Sequence, residues 1–160
     1  MAPHTRRGFG AIALTAGGLA LAGAPAQASP GRRDNKAIVL EAVARQNSGG
    51  SFYDFLHPRV RWTIVNGRTY RDKQEFLVEG AAPILDRLRT VLRMTPTSLL
   101  EEGDTVAYQF TADATALDGQ PYHNDYCWLL TFRRGLIVRA HAYLDMVAVR
   151  ELIDRVPLPA

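Results

Sequence analysis

The chain has 160 residues, with 19 Lys and Arg against 16 Asp and Glu, which gives a formal net charge of +3 at pH 7. Two of those charges are Arg6 and Arg7, so residues 29–160 carry only +1, and this near-neutral balance gives no electrostatic reason to expect binding to nucleic acid or to a membrane surface. Cys127 is the only cysteine, which excludes an intramolecular disulfide, and no His or Cys cluster has metal-ligand spacing. We therefore expect neither a metal nor a cofactor.

The first 28 residues predict a cleaved export signal. Arg6 and Arg7 supply a positive n-region, a short run of Gly, Ala, Leu and Ile follows, and the letters AQA end the segment as an A-x-A cleavage site. The arginine pair also fits the twin-arginine form of bacterial signal, with an ordinary signal peptide as the alternative. The apolar run is too short to span a bilayer. We expect residues 29–160 to form one domain in the periplasm or outside the cell, with no membrane span.

The first half of that domain predicts helices around one strand. Asp34 can cap the helical run NKAIVLEAVARQ, which Gly49 ends, and SFYDFL predicts a short second helix. The segment RVRWTIV alternates polar and apolar residues, as a half-buried strand does, and the letters NG then turn the chain. Asp72 with Glu75 resembles a capping box that opens DKQEFLVEG. A glycine and a proline break or restart this helix, and ILDRLRTVL continues it or passes into the next strand.

The second half predicts an antiparallel meander. Successive strands are expected at TSLLEE, TVAYQFTADATAL, QPYHNDYCWLLTF and GLIVRAHAYL, each joined to the next by a turn. Asp145 can cap a closing helix, MVAVRELIDRV. Helices followed by consecutive strands predict an α+β fold.

The turn between the last two strands predicts which side chains share a face. A three-residue loop with Gly135 in the left-handed position fits the sequence. It pairs Phe132 with Leu136, Leu130 with Val138, Trp128 with Ala140, Tyr126 with Ala142 and Asn124 with Leu144. This apolar face is expected to pack on the helices. The opposite, mostly polar face holds His123, Asp125, Cys127, Leu129, Thr131, Ile137, Arg139, His141, Tyr143 and Asp145.

Small residues opposite large aromatic ones indicate a cavity on the inner face. A few polar tips in an apolar space are typical of a small-molecule pocket. The predicted ligand-binding residues are Trp62, Ile64, Tyr108, Asn124, Tyr126, Trp128, Ala140 and Ala142. The alternative is close packing of large against small side chains, with the aromatic tips bonded to backbone or solvent.

The pattern Tyr122-x-Asn124-x-Tyr126-x-Trp128, followed by G-x-I and Y-x-D, resembles the nuclear transport factor 2-like superfamily, and within it the SnoaL-like, ketosteroid isomerase-related proteins. The stretches GGSFYDFLHPRVRWTI and EEGDTVAYQF share this resemblance, which covers nearly all of residues 34–156. It implies a cone-shaped, cystatin-like, curved antiparallel sheet wrapped around N-terminal helices. It also implies a homodimer through the outer face of the sheet. Relatives include isomerases, cyclases, dehydratases and binding proteins, so the resemblance leaves the activity open.

The acids on which catalytic relatives depend are missing from this chain. In ketosteroid isomerases one Asp is the base, and a Tyr with a protonated Asp stabilises the enolate oxygen. The resemblance places the base at Ile64, the oxyanion Asp at Trp128 and the oxyanion Tyr near Ala42. The final-strand acid of limonene epoxide hydrolases and SnoaL-like cyclases falls near Ala142. Neither mechanism transfers.

Four residues remain as weak candidates for chemistry. Tyr126 and Asn124 could orient a ligand carbonyl or hydroxyl, or stabilise an oxyanion in an enzyme. Buried polar tips bonded to the backbone are the alternative. Asp54 and His57 lie near the expected mouth of the cavity and could transfer a proton, whereas a solvent-facing acid and a turn histidine are the alternative.

Other polar residues have simpler interpretations. In the predicted register His123 faces Asp145, which favours an outer ion pair and a helix cap over a catalytic couple. Cys127 faces His141, but a half-buried cysteine on a sheet is favoured over an activated thiol. We interpret Arg87, Arg89 and Arg93 as the solvated edge of a helix or strand.

The sequence thus predicts an exported pocket protein for a small apolar oxygenated molecule. Three possibilities stay open: a cofactor-independent isomerase, cyclase or lyase-like enzyme, a non-catalytic binding protein, and a dimeric interaction module.

Overall fold

The computed structural model describes residues 34–158, so the predicted export signal lies outside the described residues. The elements are α1 (Asn35–Asn47), a 3-10 turn (Phe52–Phe55), β1 (Leu56–Ile64), β2 (Thr69–Tyr70), α2 (Lys73–Phe76), a π-helical turn (Leu77–Ala81), α3 (Ala82–Leu85), β3 (Arg93–Glu102), β4 (Thr105–Thr115), β5 (Pro121–Arg133), β6 (Leu136–Leu144) and α4 (Met146–Arg155). No helix among these residues is long and apolar enough to cross a membrane.

Three helices begin where the sequence places an aspartate. The carboxylates of Asp34, Asp72 and Asp145 each accept a hydrogen bond from a backbone amide of the first turn, at 2.9, 2.8 and 2.7 Å. Each bond satisfies one of the amides that a helix start leaves without a partner. The predicted caps are therefore confirmed. The end of α1 is also confirmed, because Gly49 follows it with φ of +88°.

The helical run from residue 73 to residue 85 does not break at Gly80. A π-helical turn carries the backbone through this position, and Pro83 lies in the first turn of α3. A Cβ on Gly80 would approach the Phe76 ring to 2.7 Å and the Tyr70 ring to 3.0 Å. Glycine is therefore required here by close packing. Beyond α3 the chain is irregular until β3.

Six strands form one curved sheet in the order β2-β1-β6-β5-β4-β3. The predicted α+β fold is confirmed, with one difference: β1 pairs with β6 in parallel, so the sheet is mixed. Strand β2, of two residues, was not predicted. Local turn patterns reveal only pairings between neighbouring strands, whereas the strands of the parallel pair lie far apart in the sequence.

The predicted pairing of β5 with β6 is wrong in register. Arg134 and Gly135, with φ of 53° and 78°, form a two-residue turn in place of the three-residue loop. A bulge then leaves Val138 without a partner. The shorter turn and the bulge together shift the register by two residues, so Trp128 pairs with Ala142 and Tyr126 with Leu144.

A two-residue shift keeps each side chain on its face, because the side-chain period of a strand is two. The even-numbered residues of β5 from Tyr122 to Phe132 are therefore buried as predicted. Next to the turn the shift is only one residue, so Leu136 pairs with Arg133 and leaves the predicted inner face, and Ile137 takes its place opposite Phe132. It was predicted on the outer face and is fully buried.

Aromatic side chains fill the space between the sheet and the helices. Trp128 contacts the rings of Trp62 and Phe110 edge to face, with centroids 4.9 and 4.7 Å apart, and Trp62 stacks on Phe76 at 4.2 Å. Such pairs add about 0.5–1.5 kcal/mol each beyond the area that they bury. This cluster forms the floor of the site described next.

Candidate functional site

A small apolar cavity lies between the inner face of the sheet and the helical run of residues 73–85. Its volume is about 30 Å³, enough for about two water molecules. The lining residues are Tyr53, Trp62, Ile64, Phe76, Gly80, Ala81, Ile84, Leu85, Leu92, Met94, Tyr126, Trp128, Ala142 and Leu144. None of these residues is acidic or a histidine.

The structure brings together five of the eight predicted ligand-binding residues, namely Trp62, Ile64, Tyr126, Trp128 and Ala142, around this cavity. Tyr108, Asn124 and Ala140 do not line it. Tyr108 is fully buried in a stack with aromatic neighbours, and Ala140 pairs with Leu130 in the core. The role of all eight as ligand contacts remains a prediction.

The prediction missed the helical wall of the cavity. Five lining residues lie between residues 76 and 85, and all five are apolar or glycine. The apolar residues of this segment showed in the sequence that it packs on the core. Which of them would border a cavity depended on the π-helical turn, which no local pattern announced.

Trp128 contributes an unused hydrogen-bond donor to this region. Its side chain is only 4% exposed, and its indole Nε1 has no partner among the described residues. An indole N–H can only donate, so only an acceptor can satisfy it. A buried donor without a partner costs about 1–3 kcal/mol. The nitrogen itself has almost no accessible surface, so a ligand would reach it only if the surrounding side chains moved.

A short hydrogen-bond network lies beside the cavity. The hydroxyls of Tyr122 and Tyr126 are 3.1 Å apart, and Nδ2 of Asn124 donates to the Tyr122 hydroxyl at 3.0 Å. The Asn124 side chain also exchanges two hydrogen bonds with the backbone of Asp145, donating to its carbonyl and accepting from its amide, both at 3.0 Å. Asn124 therefore ties β5 to the start of α4. Asn124 was predicted to line the cavity, but it does not border it.

The tyrosines of this region are donors at neutral pH. Burial raises the pKa of Tyr126 well above its ordinary value, and the neighbouring Tyr122 raises it further. Burial likewise raises the pKa of Tyr53, and the proximity of Tyr122 adds to the effect. Hydroxyls with raised pKa values stay protonated, so they offer hydrogen bonds to a ligand and do not act as bases.

Asp54 and His57 are not brought to the cavity. The exposed Asp54 carboxylate accepts a hydrogen bond from Nε of Arg45 at 2.6 Å, and Nδ1 of His57 accepts one from the backbone amide of Arg59 at 3.0 Å. Tyr53, which precedes Asp54, lines the cavity instead. The geometry thus favours the simpler interpretation of both residues.

The predicted cross-strand pairs on the outer face are also corrected. His123 contacts Asp113 of β4 at 2.7 Å, whereas Asp145 caps α4. Cys127 pairs with Tyr143 because of the two-residue shift in register. His141 pairs with Leu129 for the same reason. No couple of His and Asp145, or of Cys and His, exists there.

The predicted solvated arginine edge is correct only in part. Arg89 and Arg93 are exposed as predicted, and Arg89 also donates to the Leu117 carbonyl at 2.7 Å, whereas Arg87 is half-buried and donates to the Pro83 carbonyl at 2.7 Å. Two of the three arginines thus hold local backbone. In the described part of the chain, no group of three His, Cys, Asp or Glu could hold a metal ion.

An N-terminal helix, a six-strand curved sheet and an apolar cavity between them define a protein of the nuclear transport factor 2-like class. The sequence profile of the SnoaL-like domain matches residues 39–140, so the chain belongs to the SnoaL-like domain family. Among curated protein sequences, none is significantly similar to this chain.

Solved structures of the same fold are numerous. TerC, co-crystallised with polyporic acid, is 26% identical with a TM-score of 0.62 over 75% of this chain and 98% of its own. AclR from Streptomyces galilaeus is 21% identical with a TM-score of 0.61 over 77% of this chain and 97% of its own. An NTF2-like protein from Burkholderia thailandensis is 19% identical with a TM-score of 0.62 over 76% of this chain and 98% of its own.

Proposed function

We propose that this protein binds a small apolar molecule carrying a hydrogen-bond acceptor, in the cavity that Trp128 and Tyr126 line. The observation that carries the proposal is the almost wholly apolar lining of the cavity, in which the only polar side-chain groups belong to two tryptophans and two tyrosines. Apolar walls with a few fixed polar groups are the usual composition of a small-molecule site. The co-crystal of TerC with polyporic acid supports a small organic ligand.

The ligand must displace part of the cavity wall in order to enter. A volume of about 30 Å³ holds about two waters, far less than a small organic molecule needs. One wall consists of hydrogen-bonded strands, whereas the opposite wall includes α3, in which no residue is fully buried. Weakly buried segments open at the lowest free-energy cost, so we expect the ligand to enter past α3.

The geometry favours binding over acid–base catalysis. The residues that line the cavity include no carboxylate and no histidine, and its tyrosines remain protonated. An isomerase- or cyclase-type reaction here would have to rely on a tyrosine as donor, with the base supplied by the substrate or by water. Turnover of any ligand that binds would be the evidence for an enzyme.

Tryptophan fluorescence provides a direct test of binding. The chain contains two tryptophans, and both line the cavity. Polyporic acid is the first probe, with calorimetry as a second measurement because coloured ligands absorb emitted light. We expect a saturable change in emission together with a heat of binding.

Matched variants separate the indole N–H from ring volume. Trp128→Phe should weaken binding about tenfold, since a hydrogen bond of about 1.4 kcal/mol is lost. Trp62→Phe makes the same change of ring at the other tryptophan of the cavity wall, so the two variants together show which indole N–H the ligand uses. If neither polyporic acid nor other small oxygenated aromatic compounds bind the wild-type protein, the proposal is wrong.

We further propose that residues 1–28 direct export from a bacterial cell. The arginine pair, the apolar run and the AQA site support this proposal. Replacing Arg6 and Arg7 by lysine should leave the protein in the cytoplasm if the twin-arginine route is used. Export that is unchanged in this variant would argue for an ordinary signal.

A homodimer through the outer face of the sheet is a separate proposal. Of the three apolar residues predicted on that face, Ile137 is buried in the core, but Tyr143 is 46% exposed and Leu129 is half-buried. Sedimentation should show a dimer that Tyr143→Glu converts to a monomer. A wild-type monomer at high concentration would exclude the dimer.

A further inference from the structure

The direction of the hydrogen bonds beside the cavity follows from the Asn124 amide. Its Oδ1 accepts from the backbone amide of Asp145, so its Nδ2 must be the atom that faces the Asp145 carbonyl and the Tyr122 hydroxyl. In the flipped orientation Nδ2 would face the Asp145 amide, so that two donors would meet. Oδ1 would face the Asp145 carbonyl, so that two acceptors would meet. The backbone at the start of α4 thus forces the Tyr122 oxygen to accept a hydrogen bond.

The hydrogen bond that the Tyr122 oxygen accepts also affects the direction of its bond with Tyr126. Once the Tyr122 oxygen accepts from Asn124, its own proton can be donated to the Tyr126 oxygen, 3.1 Å away. Each bond in such a chain polarises the next in the same direction. The Tyr126 proton then has no acceptor among the described residues, and Tyr126 is a residue of the cavity wall.

We propose that the Asn124–Tyr122–Tyr126 chain makes the Tyr126 hydroxyl a donor into the cavity, and that this donor selects ligands with a carbonyl oxygen. This inference rests on the proposed function. Tyr126 borders the cavity beside the ring of Trp128, which lies 5.9 Å away at an angle of 79°. A carbonyl oxygen brings lone pairs and no proton, which matches a hydroxyl that donates.

Tyr122 and Asn124 are positioning residues in this scheme. Asn124 does not line the cavity, and Tyr122 borders a separate open cleft on the other side of the tyrosine pair. Neither needs to contact the ligand. Their effect is to set whether the cavity offers a proton or a lone pair at Tyr126.

A ligand pair that differs by one carbonyl tests the proposal. The probes are 1-indanone and indane, titrated by calorimetry and by ligand-observed NMR against the wild-type protein. We expect the ketone to bind about tenfold or more tightly than the hydrocarbon. In Tyr126→Phe this preference should fall to about threefold or less, because the hydroxyl that donates to the ketone is absent.

Tyr122→Phe distinguishes a positioning role from a structural one. It removes the bond that orients and polarises the Tyr126 hydroxyl but leaves its proton, so the ketone-to-hydrocarbon preference should fall by less than in Tyr126→Phe. A loss of packing alone would weaken both probes equally. Asn124→Asp should also reduce the preference, because a carboxylate accepts the Tyr122 proton and reverses the chain. If that variant fails to fold, Tyr122→Phe decides. Tyr143→Phe, on the outer face, is the matched control and should keep the wild-type preference.

The outcomes separate this inference from the proposed function. If 1-indanone, indane and polyporic acid all fail to bind, both proposals are overturned. If the probes bind but the wild-type protein shows no preference, or if Tyr122→Phe leaves the preference unchanged, the chain does not select the ligand. In that case the cavity remains a binding site and only its selection mechanism is wrong.

Discussion

Replacing Tyr108 by phenylalanine should stabilise this protein, although most substitutions in a core are destabilising. Tyr108 is fully buried, and its hydroxyl has no hydrogen-bond partner among the described residues. Its ring stacks on Phe110 with centroids 4.3 Å apart and on Phe52 at 6.3 Å. Phenylalanine keeps both contacts and removes only the unpaired hydroxyl.

The expected gain follows from two opposing terms. Burying a hydroxyl without a partner costs about 1–3 kcal/mol, and this cost disappears in the variant. The substitution leaves a void smaller than a methyl group, which costs less than about 1 kcal/mol. The free energy of unfolding should therefore rise by about 1 kcal/mol, which corresponds to a Tm increase of about 4 °C in a domain of this size.

Tyr126→Phe is the matched control for this measurement. It makes the same chemical change, but it removes a hydroxyl that is hydrogen-bonded to Tyr122 at 3.1 Å. Loss of that bond should lower the free energy of unfolding by about 1 kcal/mol. Urea titrations of the two variants should therefore move the midpoint in opposite directions with unchanged m values.

A destabilised Tyr108→Phe variant would refute this reasoning. A loss of 1 kcal/mol or more would mean that the Tyr108 hydroxyl has a partner in solution, for which a buried water is the simplest identity. A high-resolution crystal structure would then show that water beside the hydroxyl.

Three further predictions concern other parts of the domain. Gly80→Ala should lower the free energy of unfolding by about 1–3 kcal/mol, because the added Cβ would lie 2.7 Å from the Phe76 ring. An unchanged midpoint in urea denaturation would show that the π-helical turn moves to accommodate it. Asp145→Ala should lower the free energy of unfolding by about 1 kcal/mol, because the cap of α4 is lost. Asp145→Asn is the control that keeps the cap, and equal losses in the two variants would contradict a capping role. The hydrogen bond to Asp113 raises the pKa of His123, so this pair stabilises the fold below about pH 6.5, and the contribution is lost as the pH rises through the raised pKa. An NMR titration should show that Asp113→Asn lowers the pKa of His123; the effect on stability is small because both groups are exposed.

The apolar character of the inner face of the strands could be predicted from the sequence. No carboxylate or histidine was expected on the inner face of the strands, and none lines the cavity. The hydrogen bonds of Asn124 and Tyr122 could not be predicted. Both depend on the backbone of Asp145, which lies 21 residues from Asn124 along the chain.

What the sequence by itself determined is whatever depends on residues close along the chain. The helix starts at Asp34, Asp72 and Asp145 follow from a side chain that reaches an amide two or three residues away. The buried face of β5 follows from strict alternation. These features involve too few residues for distant contacts to override.

Only the tertiary structure decided how these elements meet. The choice between two turns of nearly equal length set the register of β6, and with it the alanine that lies opposite Trp128. The parallel pairing of β1 with β6 and the π-helical wall of the cavity also required the whole fold. Each of these outcomes depends on packing between distant segments, whose free energies differ by too little for a local pattern to reveal them.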